Sequence, residues 1–482
     1  MALAKRMYIG GELCGDGYLD VVNPATNEVV GSFAEATVAD AHRALEAAQA
    51  AFPSWSATSV AERVSWMHKL RDVVLANEAH LRECIHLEMA KPWAATKDDY
   101  QMLVHSLEFY AEEITRMHAE SLVDREGTHV HTLSRQPVGV AAAFLAWNFP
   151  LLNLAYKLGP ALAAGCPIVI KPSSKTPLSA YAVGELCAEI GLPAGVVNII
   201  SGTDHEIGDA ISASTIPALL TLIGSTQTGL HVMRTGATSI KRYSMELGGN
   251  APALVFADAD LDLAADVICG VKYANSGQIC VTPNRVFVEA GVADAFREKV
   301  LARAAAVKVG YERDGDIDMG PVIDHRSVQR IDALVKDAVE KGATLVHGGK
   351  KPEGLDESLE KGAFYAPTVL DGVNNGMRLY SEEVFGPVIS LLTFTDEDEV
   401  MVQANDTDAG LSSYIFTADI EKAERCAAQL QFGEVQINGI KYAIDLPHCG
   451  VKQSGIGVDC SHLALDDYLA PKRVSRAIKK YN

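Results

Sequence analysis

The stretch Val138-Gly-Val-Ala-Ala-Ala-Phe-Leu-Ala-Trp147, followed by Leu151–Ala164 and then Pro167-Ile-Val-Ile170, decides the fold class. Its first and last segments are almost unbroken runs of small and branched apolar residues, while the segment between them has helical apolar spacing. A strand that is apolar on both faces can face water on neither. Such runs belong to a parallel sheet covered by helices on both sides. The alternation continues with a helix over Leu178–Ile190, a strand at Gly195–Ile200 and a helix over Glu206–Ser212. A strand at Ala218–Ile223 and a helix over Gln227–Thr235 complete the series. Sheets of this kind bind ligands beyond the carboxyl ends of their strands, so residues directly after each strand are the first functional candidates.

After Glu246 a second series begins, with strands at Ala251–Phe256 and Arg285–Glu289 and helices over 260–275, 293–306 and 325–341. The strand Thr344–Val346 then precedes the loop Gly348-Gly349. Two α/β domains are expected. Ahead of Val138, residues 7–31 read as short strands and turns, 38–52 and 60–89 as helices, and 97–118 as a long polar helix. Residues 119–137, rich in charged and β-branched residues, read as an excursion from the core. The tail from about 465 carries Tyr468, Val474 and Ile478 among charges. An arm added to a neighbour's sheet and a frayed end account for it equally.

At 482 residues the chain exceeds what one core supports. Its 48% hydrophobic and 22% charged residues are those of a globular protein. The formal charge of −20 argues against a nucleic-acid partner and against an anionic membrane surface. Nine cysteines, an odd number with no Cys-x-x-Cys, suit the reduced thiols of a cytoplasm. The opening Met1-Ala-Leu-Ala-Lys-Arg-Met-Tyr8 lacks a signal-peptide pattern. No apolar run approaches the roughly 20 residues a membrane span needs. A cytoplasmic protein is expected.

Several loops carry residues suited to chemistry, and each has a plainer reading. Ala274-Asn-Ser-Gly-Gln-Ile-Cys280 is loop composition and displays a thiol, although cysteine is often just a small buried hydrophobe. Asn148 follows a buried strand, where its amide must find partners; it is an oxyanion donor or part of a strand-ending turn. Lys171, in Lys171-Pro-Ser-Ser174-Lys175, holds ribose or phosphate or is a solvated loop lysine. Gly224-Ser225-Thr-Gln-Thr-Gly229 joins a strand to a helix, as a pyrophosphate loop does, but it is not a G-x-G-x-x-G fingerprint. Glu246-Leu247-Gly-Gly249 suits a general base or an ordinary turn, and Glu382-Glu383-Val-Phe385-Gly-Pro387 is an acidic pair before a turn.

Taken in order, Trp147-Asn-Phe-Pro150, Lys171-Pro-Ser173, the Gly224–Gly229 loop, Glu246-Leu-Gly-Gly249, Gly277-Gln-Ile-Cys280 and Glu382–Pro387 resemble the aldehyde dehydrogenase superfamily over essentially the whole chain. The run Trp147–Gly165 is especially similar to the hydrolytic, NAD(P)-dependent members. The resemblance implies an α/β fold with a Rossmann-type dinucleotide-binding domain over 1–118 and 138–245 and an α/β catalytic domain over 246–454. A small oligomerisation segment would come from 119–137 and 455–482, in a homodimer or homotetramer.

It also implies roles. Cys280 would attack an aldehyde, and Asn148 with the Cys280 backbone N–H would stabilise the oxyanion. Glu246 would activate water to hydrolyse the thioester, with Lys157 in a proton relay. The presence of Glu246 disfavours transfer to coenzyme A, and an intact Cys–Glu–Asn set disfavours a non-catalytic structural or binding protein. For the cofactor, the resemblance points to Lys171 on the adenosine ribose and to Gly224, Ser225 and Gly229 at the pyrophosphate. Glu383 and Phe385 fall at the nicotinamide half, with Trp147 and Leu247 lining the site.

Ser174 stands where NAD-specific members often carry glutamate, and Lys175 adds positive charge, so NADP is expected to serve at least as well as NAD. Tyr156 stands where several semialdehyde-oxidising relatives have an arginine, and Arg285, five residues past Cys280, either partly replaces it or is a solvated strand-end arginine. His448 before Cys449 looks like the arrangement in lactaldehyde and glycolaldehyde dehydrogenases, which suits a small polar aldehyde of lactaldehyde, glycolaldehyde or semialdehyde type. A broad-specificity aromatic or aliphatic aldehyde dehydrogenase is the alternative. His448-Cys449 and Cys460-x-His462 fit no familiar zinc spacing, so no metal is expected.

Overall fold

Val140–Phe144 lies at the middle of an eight-stranded sheet in a computed structural model that describes residues 3–313 and 315–478. Five parallel strands form its body, in the order Arg242–Glu246, Pro217–Ile223, Val140–Phe144, Ile168–Lys171 and Val197–Ile199. All of Val140–Ala143 and Ile168–Ile170 are buried, which is why the sequence shows no alternation there. Short antiparallel strands close both edges: Met7–Ile9 with Glu12–Cys14 on one side, Gly455–Ile456 on the other. Residues 455–456 therefore join the cofactor-side sheet, and the boundary drawn at 455 must be corrected. Backbone pairing with Met245 and Glu246 holds this strand there, a tie that its sequence does not announce.

The helix Pro150–Ala164 starts with proline, whose missing N–H is one of the donors a first turn leaves unpaired anyway, and ends at Gly165 in a left-handed conformation. Two of its free N–H groups, from Leu151 and Leu152, donate to Oδ1 of Asp99 at 3.1 and 2.7 Å. Asp99 in turn pairs with buried Lys91 at 2.9 Å. This fixes the start of the helix, and with it the Asn148 loop, against the helix Thr96–Glu113. The helical stretch 60–89 is two helices, Val60–Ala76 and Glu78–Met89. They break at Asn77, whose side-chain amide donates to the Val73 carbonyl in competition with the backbone.

The second sheet has seven strands, in the order Thr344–His347, Thr368–Asp371, Val388–Phe394, Pro283–Glu289, Ala251–Val255, Ser412–Phe416 and Glu434–Ile437. All neighbours are parallel except the first pair. Ala251 begins this sheet five residues after Glu246 ends a strand of the other. The two sheets thus meet with opposite ends: the carboxyl ends of the first face the amino ends of the second, where Cys280 precedes Pro283 and Glu434 opens its strand. The carboxyl-end rule locates function on the first sheet only.

The excursion is the pair Glu120–Val123 and His129–Pro137, and the tail Leu469–Ala477 pairs along the whole of His129–Pro137. The tail is therefore neither frayed nor lent to a neighbour. It completes a three-stranded antiparallel sheet within its own chain, with Leu122, Val123, Leu133 and Val474 exposed. Among the described residues no helix is long and apolar enough to cross a membrane.

Candidate active site

One cleft of about 1560 Å³ runs between the two sheets and gathers most of the candidate residues. Cys280, Asn148, Glu246, Tyr156 and His448 line one part of it. Trp147, Lys171, Ser174, Gly224, Ser225, Leu247, Glu383 and Phe385 line the rest. Lys157, Gly229 and Arg285 do not reach it.

Cys280 is carried by a loop held in an uncommon conformation. Asn275 and Ser276 have φ of 47° and 56°, followed by Gly277 at 69°. Left-handed backbone at non-glycine residues costs on the order of 1–3 kcal/mol each and persists only where neighbours enforce it. They do here. Ser276 Oγ donates to the Gly320 carbonyl at 2.7 Å, Gln278 Nε2 donates to the Asn275 carbonyl at 3.0 Å, and Gln278 Oε1 accepts from the Ile323 N–H at 2.8 Å. A Cβ on Gly277 would lie 2.2 Å from the Gly386 carbonyl oxygen, so this glycine serves the packing of chain on chain. Gly249 is alike: a Cβ there would lie 2.1 Å from the carbonyl oxygen of Cys280. Gly249 lets the Cys280 loop lie against the chain that follows the strand carrying Glu246.

Asn148 is buried and its amide is oriented at both ends. Nδ2 donates to the Gln278 carbonyl at 3.0 Å, and Oδ1 accepts from Asn153 Nδ2 at 3.2 Å. Glu246 is buried with neither carboxylate oxygen hydrogen-bonded within the protein. Burial pushes its carboxyl up to about 8, with His448 opposing. A carboxyl that titrates near neutrality in a cleft suits a general base. Burial also pushes the Cys280 thiol up, and His448 pulls it down.

Lys157 is fully buried and gives both oxygens of Asp459 a hydrogen bond, at 2.7 and 2.6 Å. It acts on Glu246 only through its charge. Arg285 must be corrected. It is fully buried and donates to the backbone carbonyls of Asn250, Gln403, Ala404 and Asp406 at 2.8–3.4 Å, so it ties the sheet's central strand to the end of the helix Glu397–Asn405 and touches no substrate. Gly229 seats its helix on Leu247, since a Cβ there would lie 2.6 Å from the Leu247 side chain.

On the cofactor side, Ser225 caps the helix Thr226–Gly236, its Oγ accepting from the Thr228 N–H. Gln227 and Thr228 of its first turn line the cleft, and a helix start is the usual setting for a phosphate. Burial lowers the Lys171 ammonium, whose contact within the protein is the Gly202 carbonyl at 3.4 Å. A half-buried cation so short of acceptors fits ribose hydroxyls. Glu383 accepts from the Gly249 N–H at 3.0 Å, and burial pushes it up to about 7. Phe385, at φ 46°, sets its ring edge-on to Trp147, 5.5 Å away. Lys175 is paired with Asp324, so its charge is largely spent, and no carboxylate occupies position 174.

Four residues of consequence were not singled out from sequence. Glu434 holds His448 Nδ1 at 2.6 Å, Asp459 holds Lys157, and Lys91 with Asp99 braces the Asn148 loop. Each is a lone charge in unremarkable sequence; only their burial, visible in three dimensions, marks them.

A doubly covered sheet that brings an amide donor, Asn148, and a buried carboxylate, Glu246, to its edge meets a second sheet that presents the Cys280 thiol, and this is the setting of an α/β oxidoreductase. The family model described as "Aldehyde dehydrogenase family" matches residues 14–474. The chain is 38% identical to glutarate-semialdehyde dehydrogenase of Pseudomonas putida (strain KT2440), over 97% of each chain. It is 37% identical to succinate-semialdehyde dehydrogenase [NADP(+)] GabD of Escherichia coli (strain K12), over 94% of this chain and 93% of that one. The crystal structure of succinate-semialdehyde dehydrogenase from Burkholderia pseudomallei superposes with a TM-score of 0.95 at 38% identity, covering 99% of this chain and 98% of that one. The chain belongs to the aldehyde dehydrogenase family. It is an NAD(P)-dependent aldehyde dehydrogenase.

Proposed function

We propose that this enzyme oxidises a small polar aldehyde, one bearing a hydroxyl or anionic group, to its carboxylate, and that NADP serves it at least as well as NAD. The reading rests on one observation: Cys280, Asn148 and Glu246 share a cleft with His448 and Tyr156. The semialdehydes in the names of the relatives above are also short and polar. The polar ring of His448 favours a substrate with a second polar group.

In this mechanism the Cys280 thiolate attacks the carbonyl carbon, and the π pair moves to oxygen. Asn148 Nδ2 and the Cys280 backbone N–H take up that charge, a contribution of about 3–4 kcal/mol per donor. Lys171, Ser225 and Glu383 would hold the dinucleotide, which would supply the two-electron acceptor for the hydride that the adduct's carbon gives up on becoming a thioester. Glu246 then removes a proton from water, whose oxygen attacks the thioester and releases carboxylate and thiolate. Buried Lys157, held by Asp459, favours the ionised form of Glu246 through its charge, and the proton is then given up to water in the cleft. Cofactor preference rests on Ser174: without a carboxylate there, nothing at that position repels a 2′-phosphate. The exposed apolar side chains of the three-stranded sheet support its assignment to subunit pairing.

The test is absorbance at 340 nm with both nucleotides over lactaldehyde, glycolaldehyde, succinic semialdehyde, a sulfo- or phospho-aldehyde and benzaldehyde. A polar aldehyde should exceed benzaldehyde in kcat/KM by at least about tenfold, or 1.4 kcal/mol. Preference for benzaldehyde would refute the substrate class.

A further inference from the structure

The ring of His448 stands between two carboxylates that come from different sheets. Glu434 opens the strand Glu434–Ile437, and Glu246 closes the strand Arg242–Glu246. Nδ1 is 2.6 Å from Oε1 of Glu434, and Nε2 is 3.8 Å from Oε2 of Glu246. The backbone at 448 is fixed independently of the ring: its N–H donates to the Asp459 carbonyl at 2.8 Å, and the Asp459 N–H returns the bond at 2.8 Å. The rings of Tyr156 and Tyr442 flank the imidazole, with centroids 6.1 and 6.2 Å away. Lys157, which also acts on Glu246, spends its hydrogen bonds on both oxygens of Asp459. An imidazole with an acid at each nitrogen has a donor for both only as the imidazolium. Glu246 has neither oxygen hydrogen-bonded within the protein, so no bond holds its carboxylate away from the ring.

We propose that His448, clamped by Glu434, is the counter-charge that keeps Glu246 ionised, so that this buried carboxylate acts as a base near neutral pH. The inference rests on Glu246 being the base of thioester hydrolysis. One proton is held in common by Nε2 of His448 and Oε2 of Glu246. On Nε2 it leaves Glu246 able to take a proton from water; on Oε2 it leaves Glu246 inert as a base. No other bond forms or breaks. His448 and Glu434 act through Glu246 and are positioning residues.

The charges around the ring support this. Glu246, Glu434 and Asp459 are the acids, Lys157 and His448 the bases. Burial pushes the Glu246 carboxyl up, and of the charges that oppose it His448 is stronger than Lys157. Burial opposes charge on the ring as well, but its neighbours, Glu434 and Glu246 among them, outweigh it and hold the imidazolium well above the ordinary histidine value. Burial pushes up the thiols of Cys449 and Cys460 and the phenols of Tyr156 and Tyr442, so none of them adds charge at neutral pH. Cys280 is acylated during hydrolysis and has no proton to exchange. Glu246 and His448 titrate together, so the observable is the midpoint of the hydrolysis rate.

The experiment acetylates Cys280 of the intact enzyme with a substoichiometric amount of p-nitrophenyl acetate, with no aldehyde or nucleotide. Loss of the acetyl group is then followed between pH 6 and 10 by peptide mass in acid-quenched samples. The wild-type rate should rise with pH to a midpoint near 8. His448→Phe and His448→Gln should each raise that midpoint by at least about one unit and slow hydrolysis at pH 7 about tenfold, with rates at pH 10 back to within about threefold of wild type. A ring that merely packs would slow hydrolysis equally at every pH. Glu434→Gln frees the ring but also removes an acid near Glu246, so its midpoint should move less than that of either His448 variant. Should the phenylalanine variant fail to fold, the glutamine variant carries the comparison. An unchanged midpoint in a folded His448 variant, or a loss equal at every pH, overturns the proposal and leaves Glu246 as the base. Hydrolysis at the wild-type rate in Glu246→Gln would instead remove the base itself, and with it both readings.

Discussion

The side-chain amide of Asn148 donates to the carbonyl oxygen of Gln278 at 3.0 Å, two residues before Cys280, although the two residues come from different sheets. Asn275 Nδ2 returns the tie by donating to the Asn148 carbonyl at 3.0 Å. The proposed oxyanion donor is thus registered to the loop that carries Cys280. Loss of that amide in Asn148→Ala should lower kcat/KM by about 10²–10³, or roughly 2.7–4 kcal/mol. Steady-state kinetics check this, and a loss under about tenfold would assign the oxyanion site elsewhere.

Glu246 can act as a base only when ionised, and burial puts its carboxyl at about 8. Hydrolysis of the thioester should therefore speed up as pH rises toward that value. Glu246→Gln should give one equivalent of reduced nucleotide per site in rapid mixing and then turn over at least about 10² more slowly. A linear trace at the wild-type rate would exclude it as the base. Stability should also report on this group. Between its ordinary 4.5 and about 8 the folded chain holds a proton that the unfolded chain has lost, so stability falls as pH rises through that window. The substitution should flatten the decline in thermal melts.

Position 174 offers a direct test of cofactor choice. Ser174→Glu would place a carboxylate beside the site of the 2′ group. It should cut kcat/KM with NADP at least about 100-fold, 2.7 kcal/mol, while changing the value with NAD by much less. Equal losses with both nucleotides would show that this residue does not read the 2′ position.

Arg285 should behave as a structural residue. Arg285→Met leaves the carbonyls of Asn250, Gln403, Ala404 and Asp406 short of a donor inside the protein. The cost should be about 3–5 kcal/mol of stability, seen as a lowered denaturation midpoint. KM shifts that track substrate charge, in a variant of unchanged stability, would return the residue to the substrate site.

The three-stranded sheet can be tested as a subunit contact. Charge placed on its exposed face, in Leu122→Glu with Val474→Glu, should move the protein to a smaller species in sedimentation. An unchanged mass would place the contact elsewhere.

The alternation after Val138 was legible because strands buried on both faces must be apolar throughout, and Cys280, Asn148 and Glu246 were legible because their flanking residues form recognisable stretches. Arg285 misled because an arginine five residues past Cys280 looks available for an anion, and only the fold shows that backbone carbonyls occupy it. Glu434 and Asp459 were illegible for the opposite reason. Their partners, His448 and Lys157, are 14 and 302 residues away in the chain, and nothing local distinguishes a paired buried acid from a solvated one. The tail misled on pairing because its exposed apolar residues suit a strand in any sheet, and only the register with His129–Pro137 specifies which.

The two backbone bonds between His448 and Asp459 fasten the peptide at 448 without using the ring. The framework therefore makes no demand on which side chain stands there. Exchanging this ring for another should leave the loop, the Lys157–Asp459 pair and Cys280 in register. Residue 448 is a point at which enzymes of this architecture can diverge in chemistry while inheriting the same scaffold.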